Sequence, residues 1–199
     1  MERWEIGNDA LEFDEETHTY WCNGQKCISV TQLLKFKFPR KYEGINESIL
    51  QRAAEKGSWV HEAIEMYEKY GIESNEVQEF RDYLFLKKAF KFEAIGNEIP
   101  IIIKYKDLII CGRLDLVLQE RDQIGLGDIK CTSVFDKEYL AYQLNLYKIG
   151  YEQCYGATIE FLRGLNLKNG VRKYAPIPIN EPAVIELLEN YRKKENKDE

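Results

Sequence analysis

The stretch CGRLDLVLQERDQIGLGDIKCTS, residues 111–133, constrains this chain more than any other. It reads as two strands of Leu, Ile and Val joined by a short polar turn. Yet one strand carries Asp115, the other carries Asp128, and Lys130 follows two residues later. Charges buried in a sheet are costly unless they are paired or bound to a metal. Alternate side chains of a strand share a face, so Asp128 and Lys130 point one way and Ile129 the other. A connecting turn with an even number of residues, as Gln119 to Asp122 supplies, brings Asp115 to the same face as a neighbouring or diagonal partner of Asp128.

Two carboxylates at that spacing can share one divalent cation. Magnesium takes one or two carboxylates and fills its other positions with water and phosphate oxygens. A lysine beside it can orient water or stabilise charge that develops in a transition state. The spacing equally allows a structural ion pair between Lys130 and either acid, and on these residues alone both readings stand.

The rest of the chain supplies the layers around this pair. The opening LEFDEETHTYWCNGQKCIS alternates short β-prone runs with turn residues, and Asn23-Gly24 is a two-residue hairpin signal, so residues 1–30 read as a β-meander. Pro39 stops any helix in VTQLLKFKF. Residues 46–71 read as one or two helices ending at Gly71, with Gly57 as an interruption point, and a further helix spans 75–90. Strands return from Glu93, with turns at Lys106-Asp107 and around Arg121, giving an antiparallel three-strand meander. A helix from Lys137 to Gly156, two more strands and a helix over 181–199 complete the order. The expected architecture is a single α/β domain of mixed α+β character over 1–199, with a core over 45–165 in which a central mixed sheet is flanked by helices.

Composition narrows the function classes. No apolar run approaches a membrane span, and MERWEIGNDALEF lacks the basic start and apolar stretch of a signal peptide, so the expected location is intracellular and no membrane partner is expected. Five cysteines scattered singly, without a C-x-x-C pair, read as buried thiols and not as a disulfide framework or a zinc site. The net charge of -6 argues against a protein that coats nucleic acid, but residues 32–56 hold six basic residues against three acids. Lys35 and Lys37 belong to that segment, which can attract a polyanion or form an ordinary solvated surface.

On a helix, His61 and Glu65 are spaced i, i+4 and share a face, and so do Gln143 and Tyr147. His61 is either a metal ligand or a solvated helical histidine. Glu65 either joins the metal or caps an exposed face, while Glu62 lies off it. Gln143 and Tyr147 have helix packing as their alternative, given Leu140, Leu144 and Tyr151 nearby in sequence. His18 reads as a turn or strand-surface residue, and most of the tyrosines as core or amphipathic surface.

GRLDLV followed by GDIK resembles the motif core of the PD-(D/E)xK nuclease superfamily. Upstream, KGSWVHEAIE resembles the G-x-x-x-H helix motif of the RecB-like branch, and downstream QLNLY resembles its Q-x-x-x-Y motif. THTYWCNGQKCISVTQLL resembles the lead-in of phage and prophage exonucleases of that superfamily. The four core motifs stand in the family's order between Gly57 and Tyr147, which makes them more specific together than any is alone.

The resemblance implies a restriction-endonuclease-like αβββαβ core and a magnesium- or manganese-dependent deoxyribonuclease. It implies Asp115 and Asp128 as metal ligands and Lys130 as the catalytic lysine, with the backbone carbonyl of Ile129 and the imidazole of His61 completing the metal shell. Gln143 and Tyr147 would help to place the scissile strand, and Lys35 and Lys37 would contact nucleic acid. The later cysteine group of the family's iron–sulfur members is missing, so no such cluster is expected. The activity implied is a phage- or prophage-type DNA exonuclease that leaves 5′-phosphates, acting with a single-strand annealing protein in a bacterial host cytoplasm. Some relatives form rings that thread DNA, which leaves a homo-oligomer open. The rivals are a structure-selective endonuclease, a catalytically silent nucleic-acid-binding or assembly module, and an unrelated α/β protein whose acids and lysine form a structural ion pair.

Overall fold

The computed structural model describes residues 1–74, 76–168 and 170–198. Tight turns build its first part. Strands β1 (Glu2–Ile6), β2 (Asp9–Asp14), β3 (Thr19–Cys22) and β4 (Gln25–Ser29) form an antiparallel meander, the one expected over residues 1–30. Asn23 and Gly24 turn β3 into β4 with φ of 53° and 78°, the left-handed pair that suits the twist of a two-residue hairpin. Helix α1 (Val30–Lys37) follows directly, capped by Ser29, whose hydroxyl accepts from the Gln32 amide while the Gln32 side chain accepts from the Ser29 amide.

Helix α2 (Glu47–Tyr70) is one unbroken element, so Gly57 interrupts nothing. A glycine inside a helix costs about 1 kcal/mol against alanine, an amount that 24 residues with an Asn46 cap and a left-handed Gly71 at the far end absorb. Of the helix expected over 75–90, Asn75 lies outside the described residues; α3 spans Gln78–Phe90. Three long strands come next, β5 (Glu93–Tyr105), β6 (Leu108–Glu120) and β7 (Gln123–Lys130), joined by the two-residue turns Lys106-Asp107 and Arg121-Asp122. Helix α4 (Lys137–Tyr155), strands β8 (Phe161–Lys168) and β9 (Val171–Ile177) and helix α5 (Glu181–Asp198) finish the chain, and Glu199, the last residue of the expected helix, lies outside the described residues.

All nine strands described belong to one mixed sheet, in the path β1-β2-β3-β4-β6-β7-β8-β9 with β5 also paired to β6. Two of its joins are parallel: β4 to β6 and β7 to β8. Helices α1, α4 and α5 pack on one face, around Leu33, Ile103, Val117, Leu126 and Leu144. Helices α2 and α3 cover the other, around Ile64, Phe80, Leu116, Leu118 and Leu165. The central strands are thus covered on both sides, which is why β6 and β7 are almost wholly apolar. A third cluster, under the N-terminal meander, gathers Cys22, Cys27 and Cys111 with Cys154 packed against them. All five cysteines are free thiols, but Cys131 and Cys154 are only half-buried, so burial describes three of them.

Packing at the β7–β8 join leaves no space for a side chain at Gly125, where a Cβ would stand 2.3 Å from the Phe161 ring. Gly125→Ala is therefore expected to destabilise the protein by about 1–3 kcal/mol, as overpacking does, lowering the melting temperature by roughly 2–12 °C. A melting curve that coincides with that of the wild type would show that Phe161 yields freely.

Candidate active site

The site forms where two strands part. β6 and β7 are paired from the turn up to Leu116 and Gly127, and beyond that point β7 continues along β8 while β6 continues along β5 and β4. Continuing the β6–β7 register sets Asp115 across from Asp128. Continuing the β5–β6 register sets Glu98 across from Asp115 on its other side. Three carboxylates thus stand in line on three neighbouring strands at the fork. The Asp115 side chain bridges the opening, because its Oδ2 accepts a hydrogen bond from the Ile129 amide at 2.7 Å.

Lys130 is on the same strand as Asp128, and its Nζ lies 2.5 Å from Asp128 Oδ2. Neither Asp128 oxygen receives a hydrogen bond of good geometry, although both are buried. Helix α2 brings His61 over the fork, with Nδ1 3.3 Å from Glu98 Oε1 and 3.8 Å from Asp115 Oδ1. Ligand atoms of His61, Glu98 and Asp115 all lie within 4.8 Å of one another. Asp128 lies outside that group, against Lys130.

The protonation equilibria reflect burial first and neighbouring charge second. Burial pushes the Asp115 carboxyl up from its ordinary range, opposed by the charges of His61 and Lys130. Burial likewise raises Asp128 to about 6, opposed by Lys130 and reinforced by Asp115. Burial alone would lower the His61 imidazole, but Asp115 and Glu98 prevail and raise it to about 9. Lys130 loses to burial and gains more from Asp128 and Asp115, so its ammonium is held above the ordinary value. Burial and the neighbouring charges account for all four shifts.

Of the residues expected from the sequence, the fork brings together Asp115, Asp128, Lys130, His61 and the Ile129 backbone. Glu65 lies outside the group of His61, Glu98 and Asp115: its carboxylate pairs with Lys69 one helical turn on, and its charge reaches Arg113. Gln143 and Tyr147 are both buried on α4, the Gln143 Nε2 donating to the Tyr147 hydroxyl at 3.4 Å while its Oε1 has no partner. Tyr147 also packs beside Gly112, where a Cβ would come within 3.1 Å of its ring, so its packing role is real. Burial raises its phenol well above the ordinary value, with Asp115 and Asp128 contributing. Lys35 and Lys37 are exposed in the last turn of α1, with Lys37 over the Tyr142 ring in a separate cleft formed with α5. His18 lies in a turn beside Phe13.

Two residues were missed. Glu98 is an acid inside a strand, like Asp115 and Asp128, but in β5 it stands beside Gly96 and Asn97, where the apolar run that marks the other two is broken. Its backbone is left-handed, with φ 51° in mid-strand, a conformation that costs about 1 kcal/mol or more outside glycine. Arg113 Nε holds its other oxygen at 2.8 Å. Asn166 on β8 is buried, and with its carboxamide nitrogen turned inward it donates to the carbonyls of Lys130 at 2.9 Å and Thr132 at 3.2 Å. It fixes the backbone on which Lys130 stands. Asn166→Asp puts acceptors against those two carbonyls, and the expected loss is about 1–3 kcal/mol, or roughly 2–12 °C in melting temperature. A shift below one degree would remove Asn166 from this role.

No family model matches the sequence, and no curated protein does. Among solved structures, the one described as the crystal structure of SSO0001 aligns at 18% identity with a TM-score of 0.48, over 85% of this chain and 76% of that one.

Proposed function

We propose that this protein is a metal-dependent deoxyribonuclease that hydrolyses phosphodiester bonds, built on a restriction-endonuclease-like core of the PD-(D/E)xK type. The observation that carries the reading is the fork itself, where Glu98, Asp115 and Asp128 stand in line with Lys130 and His61 against them. The element order around it, helices then three strands, helix and strand, supports the same reading.

A divalent cation fits these residues. The Asp128 oxygens are buried with Lys130 as their charged partner, Asp115, Asp128 and the His61 imidazole are pushed toward protonation, and carboxylate oxygens with one imidazole nitrogen suit magnesium or manganese. His61, Glu98 and Asp115 would hold it, with Asp128 and the Ile129 carbonyl beside them. The chemistry such a cation supplies when bound is polarisation of the phosphodiester and activation of water.

The chain's own groups supply the rest. Lys130, with its pKa raised, is a cation and hydrogen-bond donor and cannot serve as the base. It is placed to orient the attacking water or to offset charge developing on the phosphoryl oxygens. The water oxygen bonds to phosphorus as the bond from phosphorus to the 3′ oxygen breaks, and the proton the water loses is balanced by the one the departing 3′ oxygen gains, leaving a 5′-phosphate and a 3′-hydroxyl. Asp128 keeps the ammonium in position, and the Ile129 amide keeps Asp115 turned into the fork.

The finer reading, an exonuclease of phage recombination type working with an annealing protein in a host cytoplasm, rests on sequence resemblance. End-labelled linear and covalently closed circular DNA, incubated with Mg²⁺, Mn²⁺ or EDTA, test both levels. Loss of linear DNA alone, with metal and not with EDTA, is the expected result. Cut circles would make the protein an endonuclease, and binding without cleavage would make it a silent module.

A further inference from the structure

Each acid at the fork has one oxygen already engaged by the protein. Arg113 Nε lies 2.8 Å from Glu98 Oε2. The Ile129 amide donates to Asp115 Oδ2 at 2.7 Å, and Lys130 Nζ stands 2.5 Å from Asp128 Oδ2. Glu98 and Asp115 therefore turn single oxygens toward His61 Nδ1, Glu98 Oε1 at 3.3 Å and Asp115 Oδ1 at 3.8 Å.

Lys130 and the Ile129 backbone have other work at the fork, whereas Arg113 is a side chain that the hydrolysis does not use. It stands two residues before Asp115 on β6 and so shares its face, diagonal to Glu98 in the β5–β6 pairing. The N-terminal meander holds its guanidinium from behind. Nη1 lies 3.4 Å from each carboxylate oxygen of Glu2, and the group sits 5.6 Å from the centre of the Phe13 ring. An arginine held between two acids and a ring keeps its inner nitrogen in place, and with it the Glu98 oxygen. The Glu98 side chain is only 15% exposed, so an Oε2 released by Arg113 has the cation to turn to more readily than bulk water.

Divalent cations differ in what they ask of a carboxylate. Calcium gathers about six to eight oxygens and takes a carboxylate by one oxygen or by both, whereas magnesium accepts fewer and closer ligands and keeps several waters. Carboxylates that each offer one oxygen are poor in what calcium collects. An imidazole nitrogen beside them adds affinity for a transition metal such as manganese.

We infer that Arg113 is a positioning residue that sets ion selectivity: by engaging Glu98 Oε2 it confines Glu98 to one oxygen toward the cation, and so favours manganese and magnesium over calcium. The inference rests on the metal site of the proposed nuclease and concerns which ion that site takes.

Free aqueous Mn²⁺ gives an electron paramagnetic resonance signal that is lost on binding. Titration of the metal-free protein gives the manganese affinity, and calcium added to the complex reports its own affinity at the same site by the signal it restores. The proteins compared are the wild type, Arg113→Met and Arg113→Lys, the last of which keeps the charge and moves the donor atom; circular dichroism selects those that fold. The wild type is expected to prefer manganese. Arg113→Met is expected to lower the manganese-over-calcium preference by at least about tenfold, the lower end of what the partners of metal ligands contribute. Arg113→Lys is expected to lower it by at least about threefold, since a point charge does not replace a planar fork. A residue that serves only the fold would weaken both ions together and leave the ratio unmoved.

A ratio unchanged in the variants that fold, or a wild type that prefers calcium, overturns the role of Arg113. Mn²⁺-dependent cleavage of linear DNA by the wild type would then leave the nuclease reading standing. A ratio that falls as expected in a protein that cleaves no DNA supports the role and removes the nuclease. A wild type that takes up no Mn²⁺ removes the metal site and the role of Arg113 with it.

Discussion

Lys130→Ala is expected to lower metal-dependent cleavage of linear DNA by at least about 10²–10³-fold, the size of effect seen when one preorganised donor to a developing oxyanion is deleted. The argument starts from the charge state. Burial works against the Lys130 ammonium, yet Asp128 at 2.5 Å and the neighbouring Asp115 hold its pKa above the ordinary value, so a fixed cation waits at the fork. The substitution also leaves Asp128 buried without its counter-charge, and its carboxyl, already raised to about 6, moves further toward protonation. Lost activity must therefore be read on folded protein: circular dichroism and a melting curve accompany the assay, and Lys130→Gln, which restores a neutral donor and most of the volume, separates the loss of charge from the loss of packing. Cleavage by both variants within threefold of the wild type would reduce Lys130 to a structural partner of Asp128.

Manganese should raise the melting temperature, and should do so more at pH 8 than at pH 6. A ligand that binds only the folded state stabilises it by about 2.7 kcal/mol at a hundredfold excess over its dissociation constant, which is roughly 5–11 °C for a chain of this size. The pH dependence follows from the protons the cation displaces. The metal-free His61, raised to about 9, contributes stability that is complete below its unfolded value and lost as pH rises through about 9. Asp128, an acid raised to about 6, binds more protons folded than unfolded between the ordinary carboxylate range and that value, so it too removes stability as pH rises. At pH 6 protons compete for these groups; at pH 8 fewer do, and the cation takes their place. Asp115→Asn, which removes the charge shared by the His61 group and the Ile129 amide, should abolish the increment. An increment equal at both pH values, or one that survives Asp115→Asn, would mean that manganese binds elsewhere.

Features set by neighbouring residues were legible in the sequence. The Asn23-Gly24 hairpin, the turns of the β5–β6–β7 meander and the glycine that ends α4 all depend on local backbone preference. Asp115, Asp128 and Lys130 were legible because alternation along a strand decides which side chains share a face. The parallel join of β4 to β6 was not, since it is made between segments about eighty residues apart and depends on packing that no short window records. Gly57 left one helix or two open, and its weak local penalty yielded to a long, well-capped helix. Glu98 escaped because its role arises from register across three strands, and Asn166 because a polar residue that serves the backbone of another strand has no periodic signature. The four cysteines near the meander are scattered in sequence and adjacent only after β4, β6 and α4 have met.

The β4–β6 join encloses α1, α2, α3 and β5 in one long excursion between two paired strands. Closing a flexible loop costs entropy that grows only with the logarithm of its length, about 0.6 kcal/mol for each doubling. The connection 38–46, which runs from α1 to α2, lies inside that excursion. Its length can therefore change with little consequence for folding stability, while Phe38, packed against the core, and Lys41, paired with Asp136, pin it to α4 and its lead-in and the strands that carry the acids stay locked in register. The length of this connection and the register that holds the acids are thus independent variables of one chain.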